Sequence, residues 1–159
     1  MKLAIPTPDG EFIARYSEHG LSQLSFPGDC RTMADDSIAP ANVEEWHAAT
    51  IAALKEILAG RTPTALPPLD LTRGTDFQRQ VWEVLRKIGP GHTKSYGEVA
   101  AAIGNPEATR AVGAACGANP VPPIIPCHRV LAAKGKLGGF SGTKGWKEKL
   151  LAREGVHLF

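Results

Sequence analysis

Two tetrapeptides, Thr75-Asp76-Phe77-Gln78 and Ser95-Tyr96-Gly97-Glu98, constrain this chain more than any other feature. In each, a Thr or Ser hydroxyl can accept from the backbone N–H three residues on. The Gln or Glu at that third position can reach back to the N–H of the cap. Both therefore mark helix starts. Behind the first, Phe77, Val81, Trp82, Leu85 and Ile88 trace one apolar face, and Gly89-Pro90-Gly91 ends the run. Behind the second comes the short helix "YGEVAAAIG". Asn105-Pro106 predicts a third start, with asparagine as cap and proline first in the helix, for a segment running from Pro106 to Ala118. "GWKEKLLARE" predicts a last helix, which Gly155 stops just after Glu154. Residues 73–159 thus read as a mainly helical unit. Two short helices joined by two or three residues make a helix-turn-helix candidate.

The first half is patterned differently. "KLAI", "EFIARYS" and "GLSQLSF" alternate as strands do, with "PDG" and "EHG" as the turns between them. "NVEEWHAATIAALKEILAG" then places Trp46, Thr50, Ala53, Leu54, Ile57 and Leu58 on one helical face, with Asn42 as cap and Gly60 as stop. "RTPTALPPLDLTRG" is rich in proline and free of helical period, and reads as a linker. The expected fold class is therefore α/β (α+β). A small strand-plus-helix domain over 1–72, its linker near 60–72, precedes a helical domain over 73–159.

Charge follows the same division. Residues 1–72 hold 5 Lys/Arg against 10 Asp/Glu, whereas residues 73–159 hold 13 against 6. A polyanion would be drawn to the second half and repelled by the first. No apolar run approaches membrane-spanning length, and the prolines and acids of "MKLAIPTPDGEF" do not suit a signal peptide. A cytoplasmic protein with reduced thiols is the expectation. Three cysteines at irregular spacing do not suggest a disulfide framework, and no Cys or His pair has zinc-ligand spacing. Neither metal nor cofactor is expected.

One of those thiols lies in "PCHRV", after the apolar lead-in "NPVPPII". Pro126 turns Ile125 away from helix, so Cys127 begins a new local structure. Adjacent residues point to opposite faces of a strand and lie about 100° apart on a helix. His128 could therefore serve Cys127 only through a water or a backbone bend, with a third group to orient the imidazole. The bland alternative is a small buried hydrophobe. Cys116, in an Ala/Gly-rich helix, reads as structural, and Cys30 has no evident partner. The helix pair, likewise, is either a nucleic-acid reader or a packing unit.

From Asp76 to Gly155 the chain resembles the O6-alkylguanine-DNA alkyltransferases, also called methylated-DNA–protein-cysteine methyltransferases. "FQRQVWEVLRKIGPGHTKSYGEVAAAIGNPEATRAVGAACGANPVPPIIPCHRV" and "GGFSG" with its helix to Glu154 carry the likeness in order and spacing. The first half resembles the family only in general layout. The resemblance implies a self-inactivating enzyme of direct-reversal DNA repair. Cys127 would take the alkyl group from O6 of a flipped guanine, His128 would act as base through a water, and Glu154 would hold the imidazole. Tyr96 would help rotate the nucleotide and donate to the departing base, while Arg110 would fill the vacated place in the duplex. Asn119 would brace the loop, the Val130 carbonyl would meet the guanine amino group, and Ser141 would donate near O6. Phe140 stands where many members carry tyrosine, so one pocket hydroxyl is lost. The implied partner is double-stranded DNA, approached through its minor groove by a monomer able to assemble cooperatively, with O4-alkylthymine as a minor substrate. The cysteine–histidine zinc set of some relatives is not matched. A lesion binder that only signals damage, a helix-turn-helix transcription regulator, and a cysteine hydrolase or redox protein are the rival readings.

Overall fold

A computed structural model describes residues 1–29, 39–132 and 145–157. Strands β1 (Lys2–Thr7), β2 (Gly10–Ser17) and β3 (Gly20–Ser25) form an antiparallel meander in the order β1-β2-β3. Each turn ends on a glycine, and both are required twice over, by a positive φ and by a close neighbour. Gly20 has φ +150°, and a Cβ there would lie 2.3 Å from the carbonyl oxygen of Pro68. Helix α1 (Val43–Leu58) turns Thr50, Ala53, Leu54 and Ile57 inward, with Trp46 and Leu58 half-buried at the margin. Asn42 is its N-cap residue, but its side chain makes no capping bond.

The proline-rich segment is more than a tether. Leu21 donates to Pro68 O at 2.8 Å, Asp70 donates to Leu21 O at 2.8 Å, and the Ser17 hydroxyl donates to Asp70 Oδ2 at 2.5 Å. Prolines are tolerated on this sheet edge because the bonds use the carbonyl of Pro68 and the N–H of Asp70.

Both capping boxes form. Gln78 N–H donates to Thr75 Oγ1 (3.1 Å) and Thr75 N–H to Gln78 Oε1 (2.9 Å), opening α2 (Asp76–Arg86). The same exchange between Ser95 and Glu98, at 3.0 Å each way, opens α3 (Tyr96–Ala102). The third start is displaced. Helix α4 spans Thr109–Gly117, beginning three residues later than Asn105-Pro106 suggests, and Ala108 caps it without a side-chain bond. The reason is local. Asn105 N–H closes the preceding helix on Ala100 O (3.0 Å), and its carbonyl accepts from Ala108 N–H (3.0 Å), so Asn105 to Ala108 is a turn. Helix α5 (Trp146–Arg153) closes the chain, with Glu154 as its C-cap.

Helices α2, α3 and α4 pack together through Val81, Trp82, Leu85, Val99, Ala100, Val112 and Ala115. The Trp82 indole N–H donates to Ala115 O at 2.9 Å, so the ring is buried without an orphaned donor. The same buried cluster continues to the sheet, where the rings of Phe12, Phe26 and Trp146 meet tilted or edge-to-face with centroids 5.1–5.5 Å apart. One further pairing was not anticipated. β4 (Lys94–Ser95) lies parallel to β5 (Val130–Leu131). Two-residue strands carry no readable alternation, so sequence gives no warning of them.

Candidate active site

The segment from Asn119 to Cys127 is held by one side chain. Asn119 is fully buried after α4, and its Oδ1 accepts from Val121 N–H (3.0 Å) while its Nδ2 donates to Ile125 O (2.7 Å). An amide can both donate and accept, so one residue ties the two ends of a loop that has no ladder of its own. Cys127 N–H also donates to Ile125 O (2.8 Å). Residues Cys127–Arg129 form a single 3₁₀ turn, which enters β5. Cys127 thus begins a new local structure after Pro126, as read, with its side chain buried at 2% exposure.

His128 is wholly buried, and its Nε2 lies 3.0 Å from Glu154 Oε2. Arg129 doubles that tie, donating from Nε to Glu154 Oε1 (3.0 Å) and from Nη2 to Oε2 (2.7 Å), while its Nη1 donates to Ile88 O (2.5 Å). Burial pushes the Glu154 carboxyl up, but the hydrogen bonds from His128 and Arg129 outweigh it and hold the group at about 2. Burial also lowers His128 below its ordinary value, against the opposing pull of Glu154. A carboxylate accepts only, so the imidazole proton belongs on Nε2. Nδ1 is then a lone pair, and it is buried without a hydrogen-bond partner among the described residues. The arrangement is a neutral imidazole with its basic end unspent, one residue from a thiol.

Tyr96 stands half-buried at the first position of α3, delivered there by the β4–β5 pairing, which sets Ser95 opposite Leu131. Arg110 lies apart, on the outer surface of α4. Its exposed neighbours there are Ala111, Ala114, Gly117 and Ala118, whereas Val112, Ala115 and Cys116 face the core. The expectations for Phe140, Ser141 and Cys30 lie outside the described residues.

A family model, "6-O-methylguanine DNA methyltransferase, DNA binding domain", matches residues 76–156. A methylated-DNA–protein-cysteine methyltransferase of Methanosarcina acetivorans is 39% identical over 150 residues, 94% of either chain. This chain belongs to that family. A Mycolicibacterium paratuberculosis member is 54% identical over 89 residues, so this chain spans 53% of that protein's length and 56% of its own is matched. The crystal structure of Mycobacterium tuberculosis OGT in complex with DNA superposes with a TM-score of 0.82 at 37% identity, covering 97% of this chain and 92% of that one. With the family come its reaction class, direct-reversal transfer of an alkyl group from DNA to a protein cysteine, and its partner class, DNA.

Two buried cations near the site have no role in the expectations from sequence. Arg129, the fourth residue of "PCHRV", supplies most of the side-chain bonds to Glu154. Lys147 is only 3% exposed. It donates to the Val130 carbonyl at 2.7 Å and lies 5.9 Å over the Tyr96 ring. Burial lowers its pKa, partly countered by the field of Cys127. A signal existed. Lys147 precedes Leu150 and Leu151 by three and four residues, so it sits on the apolar face of α5 where a lysine needs a reason. Cys116 behaves differently from Cys127. Burial first, then the neighbouring Cys127, push its thiol up to about 12, which suits a structural thiol.

Proposed function

We propose that Cys127 takes an alkyl group from O6 of guanine in duplex DNA and keeps it, so that each molecule acts once. The observation that carries this is the Glu154–His128 pair, with Nδ1 left as an acceptor on the residue next to Cys127 in the chain. Glu154 fixes the tautomer, Nδ1 receives the thiol proton through a water, and the thiolate attacks the alkyl carbon in line with the C–O6 bond. The S–C bond forms as the C–O bond breaks, and the guanine leaves with the electron pair and a proton from Tyr96. The product is a thioether, which ordinary reductants do not restore.

Ionisation is the smaller part of catalysis. A thiol of pKa about 8.5 is roughly 3% thiolate at pH 7, so full ionisation gains about 30-fold, near 2 kcal/mol. Holding carbon and sulfur in line can contribute about 7–11 kcal/mol. The lesion reaches the buried thiol by flipping out of the stack, at a cost of a few kcal/mol. In this reading α3 and α4 act as a helix-turn-helix, and the small residues on the exposed face of α4 lie against the minor groove. Arg110 enters the space that the base leaves. Residues 1–72 serve as a scaffold domain, and 73–159 carry DNA and chemistry. The Val130 carbonyl has a second lone pair, beyond the one that Lys147 uses, for the guanine amino group. The resemblance gives Ser141 the role of a donor near O6. The protein works in the cytoplasm as a monomer that can assemble along DNA, with O4-alkylthymine as a minor substrate.

The test follows a labelled methyl group on O6-methylguanine in a duplex. The expected result is one label per protein, abolished by Cys127→Ser. A complex without label movement would favour a lesion binder, and repeated turnover would overturn the single-use mechanism.

A further inference from the structure

Glu154 can orient His128 only if the last turn of α5 is itself held in place, and several of the groups that hold it come from the first half of the chain. Arg153, the residue before Glu154, places its guanidinium on Asp9 in the β1–β2 turn, with Nη2 to Oδ1 at 2.6 Å and Nη1 to Oδ2 at 2.9 Å. The same Nη1 donates to Leu58 O at the end of α1 (3.2 Å), and Lys149, one turn earlier on α5, lies 3.3 Å from Asp9. Gly60 packs directly on this turn. Its φ is +78°, and a Cβ there would lie 2.2 Å from the Arg153 carbonyl oxygen. Asp9 is itself fixed, its N–H donating to Thr7 Oγ1 at 3.1 Å and the Thr7 hydroxyl donating to Gly10 O at 2.6 Å. The hydrogen bond from Arg153, ahead of an opposing effect of burial, draws the Asp9 carboxyl down to about 2, so the clamp is charged at neutral pH.

We infer that Asp9 is a positioning residue for alkyl transfer, acting through Arg153 to set the Glu154 carboxylate against His128. This rests on the function proposed above. A bidentate carboxylate–guanidinium pair fixes direction as well as distance. The first half of the chain then contributes to the alignment of the relay. The charged groups that face the relay from its own side are Arg129 and Lys147, and neither belongs to the clamp.

The experiment compares wild type with Asp9→Asn and Arg153→Lys in single-turnover methyl transfer at saturating O6-methylguanine duplex, from neutral to alkaline pH. Asn keeps the size of Asp9 without its charge, and Lys keeps the charge of Arg153 without the two-pronged bond. Small misplacements in an active site can cost up to about 10²-fold, so both variants should slow transfer about 3–10-fold at neutral pH. DNA affinity should be unchanged. The deficit should fade at alkaline pH, where hydroxide removes the thiol proton without the relay. A purely structural weld would lower the thermal midpoint and leave the shape of the pH profile alone. Rates equal to wild type, or slowed alike at every pH, overturn the inference. A wild-type protein that moves no label defeats the proposed function first, and the inference with it.

Discussion

Replacing Glu154 by Gln tests the relay at its anchor. The amide is nearly the same size, but it removes the charge that fixes the His128 tautomer and that answers Arg129. If the relay serves only to ionise the thiol, its loss is bounded. With a thiol of ordinary pKa near 8.5, the single-turnover rate should fall about 30-fold at pH 7, close to 2 kcal/mol. It should then rise about tenfold per pH unit and meet wild type once hydroxide alone ionises the thiol. Stability falls as well, because Arg129 keeps its positive charge in a site only 9% exposed. Removing one partner of a buried pair costs about 3–5 kcal/mol. His128→Gln is therefore the companion variant, since it removes the base and leaves the Arg129–Glu154 pair in place. Quenched-flow transfer at saturating lesion duplex, from pH 6 to about pH 9.5, a unit above the free thiol's value, reads both. A loss of more than about 10³-fold, constant with pH, would refute the reasoning, because ionisation cannot supply that much.

Other expectations follow from the same contacts. Asn119→Ala leaves Val121 N–H and Ile125 O without their buried partner, at about 1–3 kcal/mol each, and should lower the urea midpoint accordingly; an unchanged midpoint would contradict the bracing role. Arg110→Ala removes an exposed side chain, so thermal stability should stay within about 0.5 kcal/mol of wild type while transfer from duplex falls and transfer from the free base does not. Acid should destabilise the fold in a defined order. His128 is lowered from 6.5 in the folded state, Glu154 from 4.5 to about 2 and Asp9 from 3.8 to about 2. Each therefore binds more protons when unfolded, so each contributes stability that is lost as pH falls. Urea midpoints should be level between about pH 6.5 and 8, decline below about 6.5, and drop most steeply between about 4.5 and 2. Midpoints that rise on acidification would be inconsistent with this.

The parts of the fold that local chemistry determines were legible in the sequence. The two capping boxes form as read, because the donors and acceptors that satisfy each helix start lie within four residues. Asn105-Pro106 has the same local signature yet starts no helix. Its N–H is drawn back onto Ala100, a competition that the pair's own chemistry does not reveal. The thiol, imidazole and carboxylate could be named from a collinear likeness, but their geometry could not. Asp9 and Arg153 are 144 residues apart, and nothing at either position announces the other. The β4–β5 pairing, which sets Ser95, just before Tyr96, opposite Leu131, was hidden for a different reason, its strands being too short to show a period.

The most direct test of the mechanism is a crystal structure of the Cys127→Ser protein on a duplex carrying O6-methylguanine. The account predicts the lesion outside the base stack, its methyl carbon facing the residue 127 hydroxyl, and the Arg110 side chain in the gap it leaves. A methylguanine still stacked in the duplex, or one flipped out with its methyl group turned away from residue 127, would contradict it.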